Sequence, residues 1–176
     1  MVSASSQSPA RILVVGGGGR ENSLGWALSR SQGVERVWVA PGNGGTAALG
    51  GPEPLAIAEN DHPALLAACH AHAIELVVVG PEAPLAAGLA DLLRDAGFPV
   101  FGPGADGAQL EASKQWAKAL MVEAGIPTAG YWHATSREQA LAVLNQQQTP
   151  LVVKADGLAA GKGVTVADTL ADTEAA

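Results

Sequence analysis

Four short apolar runs decide most of what this chain can become. "RILVV" (11–15), "RVWVA" (36–40), "IELVVVG" (74–80) and "FPVFG" (98–102) are too short for helices and carry β-branched and aromatic residues without polar alternation. A strand with no polar face needs cover on both sides. Amphipathic segments stand between the runs. Residues 21–31 place Leu24, Ala27 and Leu28 on one face. Residues 62–73 turn Leu65, Leu66 and Cys69 inward. Residues 84–97 do the same with Leu85, Leu89, Leu92 and Leu93 and close at Gly97. Buried strands alternating with helices form a parallel sheet with helices on both faces, joined by right-handed crossovers. Residues 10–105 are therefore expected as one doubly wound α/β layer, preceded by a disordered tail over 1–9.

The pattern changes at "FGPGADG", where glycine and proline interrupt all periodicity. A linker over 106–125 follows, with a helix expected over 110–125 that sets Trp116 and Leu120 one turn apart. "IPTAGYWHA" reads as a turn followed by a strand. "TSREQALAVLNQQQ" opens a helix with two overlapping capping boxes, Thr135 with Glu138 and Ser136 with Gln139. "PLVVKAD" (150–156) and "GVTVAD" (163–168) read as antiparallel strands joined by a glycine-rich hairpin, and "TLADTEAA" as the start of another helix. Residues 126–176 thus read as the opening of a second, α+β domain. No internal repeat is visible.

Composition narrows the function classes. Acidic residues outnumber basic ones 17 to 10, a net charge of -7, the wrong sign for a nucleic-acid partner. No apolar run has the length of a membrane span or the form of a signal-peptide core, so no membrane partner is expected. The single cysteine, Cys69, excludes an intrachain disulfide. The expectation is a cytoplasmic protein with small-molecule ligands. His62, His70, His72 and His133 have no spacing that joins them at a metal, and they read as structural or solvated.

Strand-to-helix loops of a parallel sheet all leave from one edge, where ligands bind. Here they are Gly16–Glu21, Pro41–Gly45 and Gly80–Pro84. The first runs from four consecutive glycines into Arg20 and Glu21. Glycines let the backbone approach an anion, the helix start offers unpaired N–H groups, and an arginine adds a bidentate grip. The loop fails as a dinucleotide fingerprint. The third glycine would fall at Glu21 or Asn22, and no acid stands about 20 residues on, near Trp38–Ala40. Glu21 reads equally as an acid complementing the helix dipole, Arg20 as a solvated charge, and Asn43 as a turn residue. Glu82, between two prolines at a strand end, is placed to take an amine or a hydroxyl.

A second glycine loop lies in "VVKADGLAAGKGV" (152–164). It fails as a Walker loop: three residues, not four, separate Gly157 from Gly161, and Gly163 rather than Ser or Thr follows Lys162. Lying between two strands, it reads as a flap over a triphosphate, with Lys154 and Lys114 spreading positive charge over the phosphoryl oxygens. The alternative is a plain hairpin with solvated lysines.

Taken together, "GGGGRENSLGWAL", "WVAPGNGGTA", "LVVVGPEAPLAAGLAD", "FGPGADGAQLEASKQWAKALM", "IPTAGY" and "PLVVKADGLAAGKGV" resemble the phosphoribosylamine–glycine ligases of the ATP-grasp superfamily, from residue 11 to about 167. The resemblance implies a pre-ATP-grasp substrate domain followed by the start of an ATP-grasp α+β domain. It implies ligation of glycine to 5-phosphoribosylamine through glycyl phosphate, with ATP and Mg2+ or Mn2+, in purine biosynthesis. The substrate-binding residues it implies are Gly17, Gly18, Gly19, Arg20, Glu21, Asn43, Pro81 and Glu82. For ATP it implies Lys114, Lys154, Gly157, Gly161, Lys162 and Gly163. "GGRENSL" departs from the family's "GGREHAL", with Asn22 where histidine is expected, so no proton-transfer group stands there. The adenine contacts, the metal ligands and much of the glycine pocket are expected after Ala176. No catalytic residue is therefore assigned, and the chain is expected to be a fragment without turnover of its own. A carboxylase-type ATP-grasp enzyme and a non-catalytic nucleotide-binding module are the alternatives.

Overall fold

The computed structural model describes residues 8–159 and 161–176, so the expected tail lies almost wholly outside the described residues. The chain divides into two compact units, Met1–Ala108 and Gln109–Ala176.

The first unit is built on five parallel strands: β1 (Arg11–Gly16), β2 (Arg36–Pro41), β3 (Glu53–Pro54), β4 (Leu76–Val79) and β5 (Val100–Phe101), in the order β3-β2-β1-β4-β5. Val14 sits opposite Val39 on one side and Val78 on the other. Successive residues point to opposite faces, and both faces are buried. Leu13, Val15, Trp38 and Val77 pack with Leu65, Cys69, Leu89 and Leu93. Ile12, Val14, Val37, Val39 and Val78 pack with Leu24 and Leu28 on the other face. This two-sided cover is the reason the strands do not alternate in sequence. The covering helices are α1 (Gly19–Leu28), α2 (His62–Ala71), α3 (Glu82–Ala86) and α4 (Leu89–Asp95).

Two features of this unit differ from the sequence reading. The helix expected over 84–97 is two helices, because the chain turns at Gly88 with φ +86°, a left-handed conformation open to glycine without steric cost. Leu92 then emerges 37% exposed instead of inward. The edge strand β3 was not anticipated. It is two residues long, contains Pro54, and has no apolar run to announce it. Pairing with Trp38 and an ion pair between Arg36 and Glu53 at 2.7 Å hold it in place.

The expected 106–125 linker helix is also broken in two, into α5 (Ala105–Ala112), whose residues fall on both sides of the division at Ala108, and α6 (Lys114–Glu123) in the second unit. Ser113 takes an extended backbone, and its hydroxyl accepts the Trp116 N–H at 3.1 Å, so it caps a new helix instead of continuing the old one. No strand forms over 126–134, where no partner strand pairs with it among the described residues; Ile126 and Trp132 are exposed. Helix α7 (Arg137–Gln147) starts as the capping residues require, with a crossed pairing. Ser136 accepts the Gln139 N–H at 3.2 Å, while the Gln139 side chain accepts the Thr135 N–H at 2.9 Å in the place expected for Glu138. Strands β6 (Val152–Lys154) and β7 (Val164–Val166) pair antiparallel, and α8 (Leu170–Ala175) opens with a reciprocal capping box of Thr169 and Asp172.

Burial separates the two sheets energetically. Leu13 is 0% exposed, so Leu13→Ala is expected to lower the unfolding free energy by about 2–5 kcal/mol. Val166 is 72% exposed, and Val166→Ala is expected to change it by about 0.5 kcal/mol or less. Urea denaturation of both variants against the parent checks the contrast.

Candidate functional site

The sheet order reverses beside β1, with β2 and β3 on one side and β4 and β5 on the other. The loops after β1, β2 and β4 converge over this switch point, at the carboxyl ends of the strands. Helix α1 begins earlier than its apolar pattern suggests, with Gly18 as its N-cap. Glycine has no side chain to cap with, so among the described residues no cap side chain accepts the first-turn N–H groups of Gly19 and Arg20.

A switch point of this kind leaves a crevice beyond the strand ends, and Arg20 stands at its mouth with a side chain 54% exposed. Its Nε donates to Glu21 Oε1 at 2.7 Å and its Nη1 to Glu82 Oε1 at 3.3 Å. The hydrogen bond to Glu21 raises the guanidinium above its ordinary range; burial opposes this and Glu82 adds to it. Glu82 is held below the usual carboxylate range, first by its own backbone N–H, against the opposing effect of burial, and then by Arg20.

Glu21 is turned inward and is 3% exposed. Its Oε2 accepts the Gly18 N–H at 2.8 Å. The carboxylate fits because two flanking residues lack a Cβ: one added at Gly80 would lie 2.0 Å from Glu21 Oε1, and one at Gly16 2.6 Å from its Cγ. Glu21 therefore serves the loop and Arg20 from a buried position. Asn43 reaches across from the loop after β2, its Nδ2 donating to the carbonyls of Gly17 at 2.9 Å and Gly18 at 3.3 Å. Pro81 is the N-cap of α3 and places Glu82 at that helix start. The fold thus gathers Gly17, Gly18, Gly19, Arg20, Asn43, Pro81 and Glu82 at one edge.

In the second unit Lys114 opens α6 and Lys154 ends β6. Both line a cavity of about 420 Å³ together with Lys118, Tyr131, Trp132 and Asp156. Lys114 Nζ donates to the Gly157 carbonyl at 2.8 Å. Gly157 and Gly161 adopt left-handed φ values of +90° and +77°, and the hairpin closes through the Ala155 N–H to the Gly163 carbonyl at 2.8 Å. Gly161, Lys162 and Gly163 lie in the hairpin loop and do not line that cavity; Ala160 lies outside the described residues.

Asp156 escaped the sequence reading. Its Oδ1 accepts the N–H groups of Lys114 at 2.6 Å and Gln115 at 3.2 Å, and its Oδ2 accepts the Ser113 hydroxyl at 3.1 Å. Burial acts to raise its carboxyl, but hydrogen bonds from Gln115, Ser113, Lys114 and Gly157 outweigh burial and bring it below its ordinary range. The only signals in the sequence were an acid at a strand end and a serine able to cap. The histidines that pack do so on aromatic rings, His72 on Trp38 at 4.7 Å and His70 edge-on to Phe98 at 4.9 Å. Among the described residues no three metal-binding side chains converge.

A doubly wound domain with ligand loops at one edge, followed by a lysine-bearing glycine hairpin, is the layout of an ATP-grasp protein. The N domain of phosphoribosylglycinamide synthetase matches residues 10–111, and the ATP-grasp (A) domain of the same enzyme matches residues 112–176. The chain belongs to this family. It is 54% identical over 166 residues to phosphoribosylamine–glycine ligase of Allochromatium vinosum and 51% identical to that of Escherichia coli, covering 94% of this chain and 39% of each relative. The crystal structure of phosphoribosylamine–glycine ligase from Thermotoga maritima superposes with a TM-score of 0.72 at 34% identity, over 94% of this chain and 38% of that one. A biotin carboxylase from Campylobacter jejuni reaches 0.71 at 16% identity, over 97% of this chain and 41% of its own, and shares the fold alone. The chain spans about 39% of the length of the curated relatives it matches.

The lowered Asp156 carboxyl fixes a sign for pH dependence. A depressed folded-state value contributes stability that is complete above the ordinary aspartate range and is lost as pH falls through the lowered value. The difference in urea midpoint between the parent and Asp156→Ala is expected to be constant above about pH 5 and to narrow below about pH 4. A difference that widens on acidification would contradict this role.

Proposed function

We propose that this chain is part of a cytoplasmic phosphoribosylamine–glycine ligase of purine biosynthesis. It supplies the phosphoribosyl site and part of the ATP phosphate site. In the reaction a carboxylate oxygen of glycine attacks the γ-phosphorus of ATP, the bond to the β–γ bridging oxygen breaks, and glycyl phosphate and ADP form. The amine of 5-phosphoribosylamine then attacks the glycyl carbonyl carbon. Phosphate leaves, the nitrogen loses a proton, and glycinamide ribonucleotide results.

The observation that carries this reading is Arg20, pinned between Glu21 and Glu82 above an α1 start whose cap residue, Gly18, carries no side chain. A phosphate there meets the helix-start N–H groups, the positive end of the helix dipole, and guanidinium N–H groups that Glu21 and Glu82 leave over. Gly17, Gly18 and Gly19 allow the close approach. Pro81 places Glu82 to take a ribose hydroxyl or the substrate amine, while Glu21 holds Arg20 in place. In the second unit Lys114 and Lys154 draw on the ATP phosphates, where added positive charge stabilises the transferring phosphoryl group. Gly157, Gly161, Lys162 and Gly163 form the flap above them. ATP enters with Mg2+ or Mn2+; the described residues do not form a cage for that ion, and none of them is assigned to it.

The two sites are expected to fail independently. Arg20→Met is expected to weaken ribose 5-phosphate binding about tenfold or more and to leave ADP binding as in the parent. Lys154→Ala is expected to do the reverse. Titration calorimetry of both variants with both ligands checks this. Parent-like ribose 5-phosphate binding by Arg20→Met would sink the phosphate assignment. In the enzyme that carries this chain, ADP release is expected to require glycine and phosphoribosylamine; release driven by bicarbonate would point to a carboxylase.

A further inference from the structure

We infer that Asn22, Asn43 and Thr46 form a charge-neutral clasp that sets the aim of the glycine loop. Asn22 is its positioning residue, and its amide makes the clasp independent of pH. The inference rests on reading the start of α1 as the phosphate site, and it concerns how that site is held.

The three side chains make a continuous hydrogen-bonded circuit. Asn22 Nδ2 donates to Asn43 Oδ1 at 2.9 Å, Thr46 Oγ1 donates to Asn22 Oδ1 at 2.7 Å, and the Asn43 N–H donates to Thr46 Oγ1 at 2.9 Å. Asn43 Oδ1 also accepts the Gly45 N–H at 2.8 Å, and Asn43 Nδ2 holds the carbonyls of Gly17 and Gly18. Thr46 is 0% exposed, so its hydroxyl has no water to fall back on.

The main chain dictates the direction of every bond. Asn43 must present its oxygen to the Gly45 N–H and its nitrogen to the two glycine carbonyls. Its Oδ1 therefore needs a donor from residue 22. The Thr46 hydroxyl accepts from the Asn43 N–H, so its own proton needs an acceptor from residue 22. Position 22 must offer a donor on one side and an acceptor on the other, which a neutral amide does. The consequence reaches the ligand. In a planar trans peptide the N–H points opposite the preceding C=O. Asn43, by holding the Gly18 carbonyl, aims the Gly19 N–H away from itself.

A carboxylate at position 22 has two acceptors and would set an oxygen against Asn43 Oδ1. A neutral imidazole has one donor and one acceptor; an imidazolium has two donors and leaves Thr46 without an acceptor. The loop of residues 42–46 that packs on Asn22 contains no titratable group. The charged groups nearby on α1 and α3 are Arg20, Glu21 and Glu82, which are bound to one another.

The test is ribose 5-phosphate binding by the full chain between about pH 5.5 and pH 8.5, each variant read as a ratio to the parent at the same pH. Asn22→Asp is expected to bind about tenfold more weakly or worse at pH 8. Asn22→His is expected within about threefold of the parent at pH 8 and about tenfold or more weaker at pH 5.5, as the introduced imidazole protonates near its ordinary value of about 6.5. Its binding at pH 8 shows that the protein is folded. An Asn22→His ratio that stays flat with pH, or an Asn22→Asp variant within about twofold of the parent, would overturn the inference. Arg20→Met separates the two failures. If it weakens binding and the Asn22 variants do not, only the clasp is wrong. If it leaves binding unchanged, the phosphate site is wrong and the clasp falls with it.

Discussion

A parallel sheet buried on both faces leaves a ligand only its edges, and everything at the first site follows from that constraint. Leu13, Val15, Trp38 and Val77 fill one face; Ile12, Val14, Val37 and Val39 fill the other. Side chains on the strands are occupied with packing, so the polar groups gather on the loops. The strands run in one direction, so the loops after β1, β2 and β4 share one edge. The reversal of strand order beside β1 then opens the crevice between them.

Within that crevice the organising element is a carboxylate hidden from solvent. A buried charge is costly unless paired and hydrogen-bonded, and Glu21 has both forms of compensation, from Arg20 and from the Gly18 N–H. Gly16 and Gly80 provide the space. The arrangement converts a negative side chain into a fixed mount for a positive one. Arg20, tied again by Glu82, carries its remaining donors to the mouth of the crevice in a defined orientation. Neutral amides do the corresponding work on the opposite side, where Asn43 holds the carbonyls of Gly17 and Gly18 and Asn22 holds Asn43, without adding charge.

The second unit uses the same economy of means. Asp156 occupies the start of α6, and Lys114 Nζ returns to the Gly157 carbonyl, so one strand end and one helix start are bound by reciprocal contacts. That ties the base of the glycine hairpin to the lysine that opens α6. The hairpin is otherwise poorly buried, with Val152, Val164 and Val166 all exposed, and a two-stranded sheet has little stability of its own.

Legible from the residues alone were the strand runs, the parallel two-faced sheet, the three loops at one edge, the glycine hairpin with Lys154 at its base, Lys114 at a helix start, and the motifs that mark the family. These are local or periodic properties, and apolar runs, glycines and caps state them directly. Helix continuity was less legible. Gly88 and Ser113 each interrupt a helix whose apolar period runs through them, because period reports burial and says little of a local backbone turn. The strand expected after a turn within 126–134 does not form because a strand exists only with a partner. Folding in three dimensions settled which way Glu21 points, that Gly16 and Gly80 are small to admit it, that Asn22 closes a circuit with Asn43 and Thr46, and that Asp156 seats on α6. Each of these joins residues from separate loops or elements across a crevice or a hairpin base. Such a contact has no period, and its hydrogen-bond geometry exists only once the backbone has brought the groups within reach.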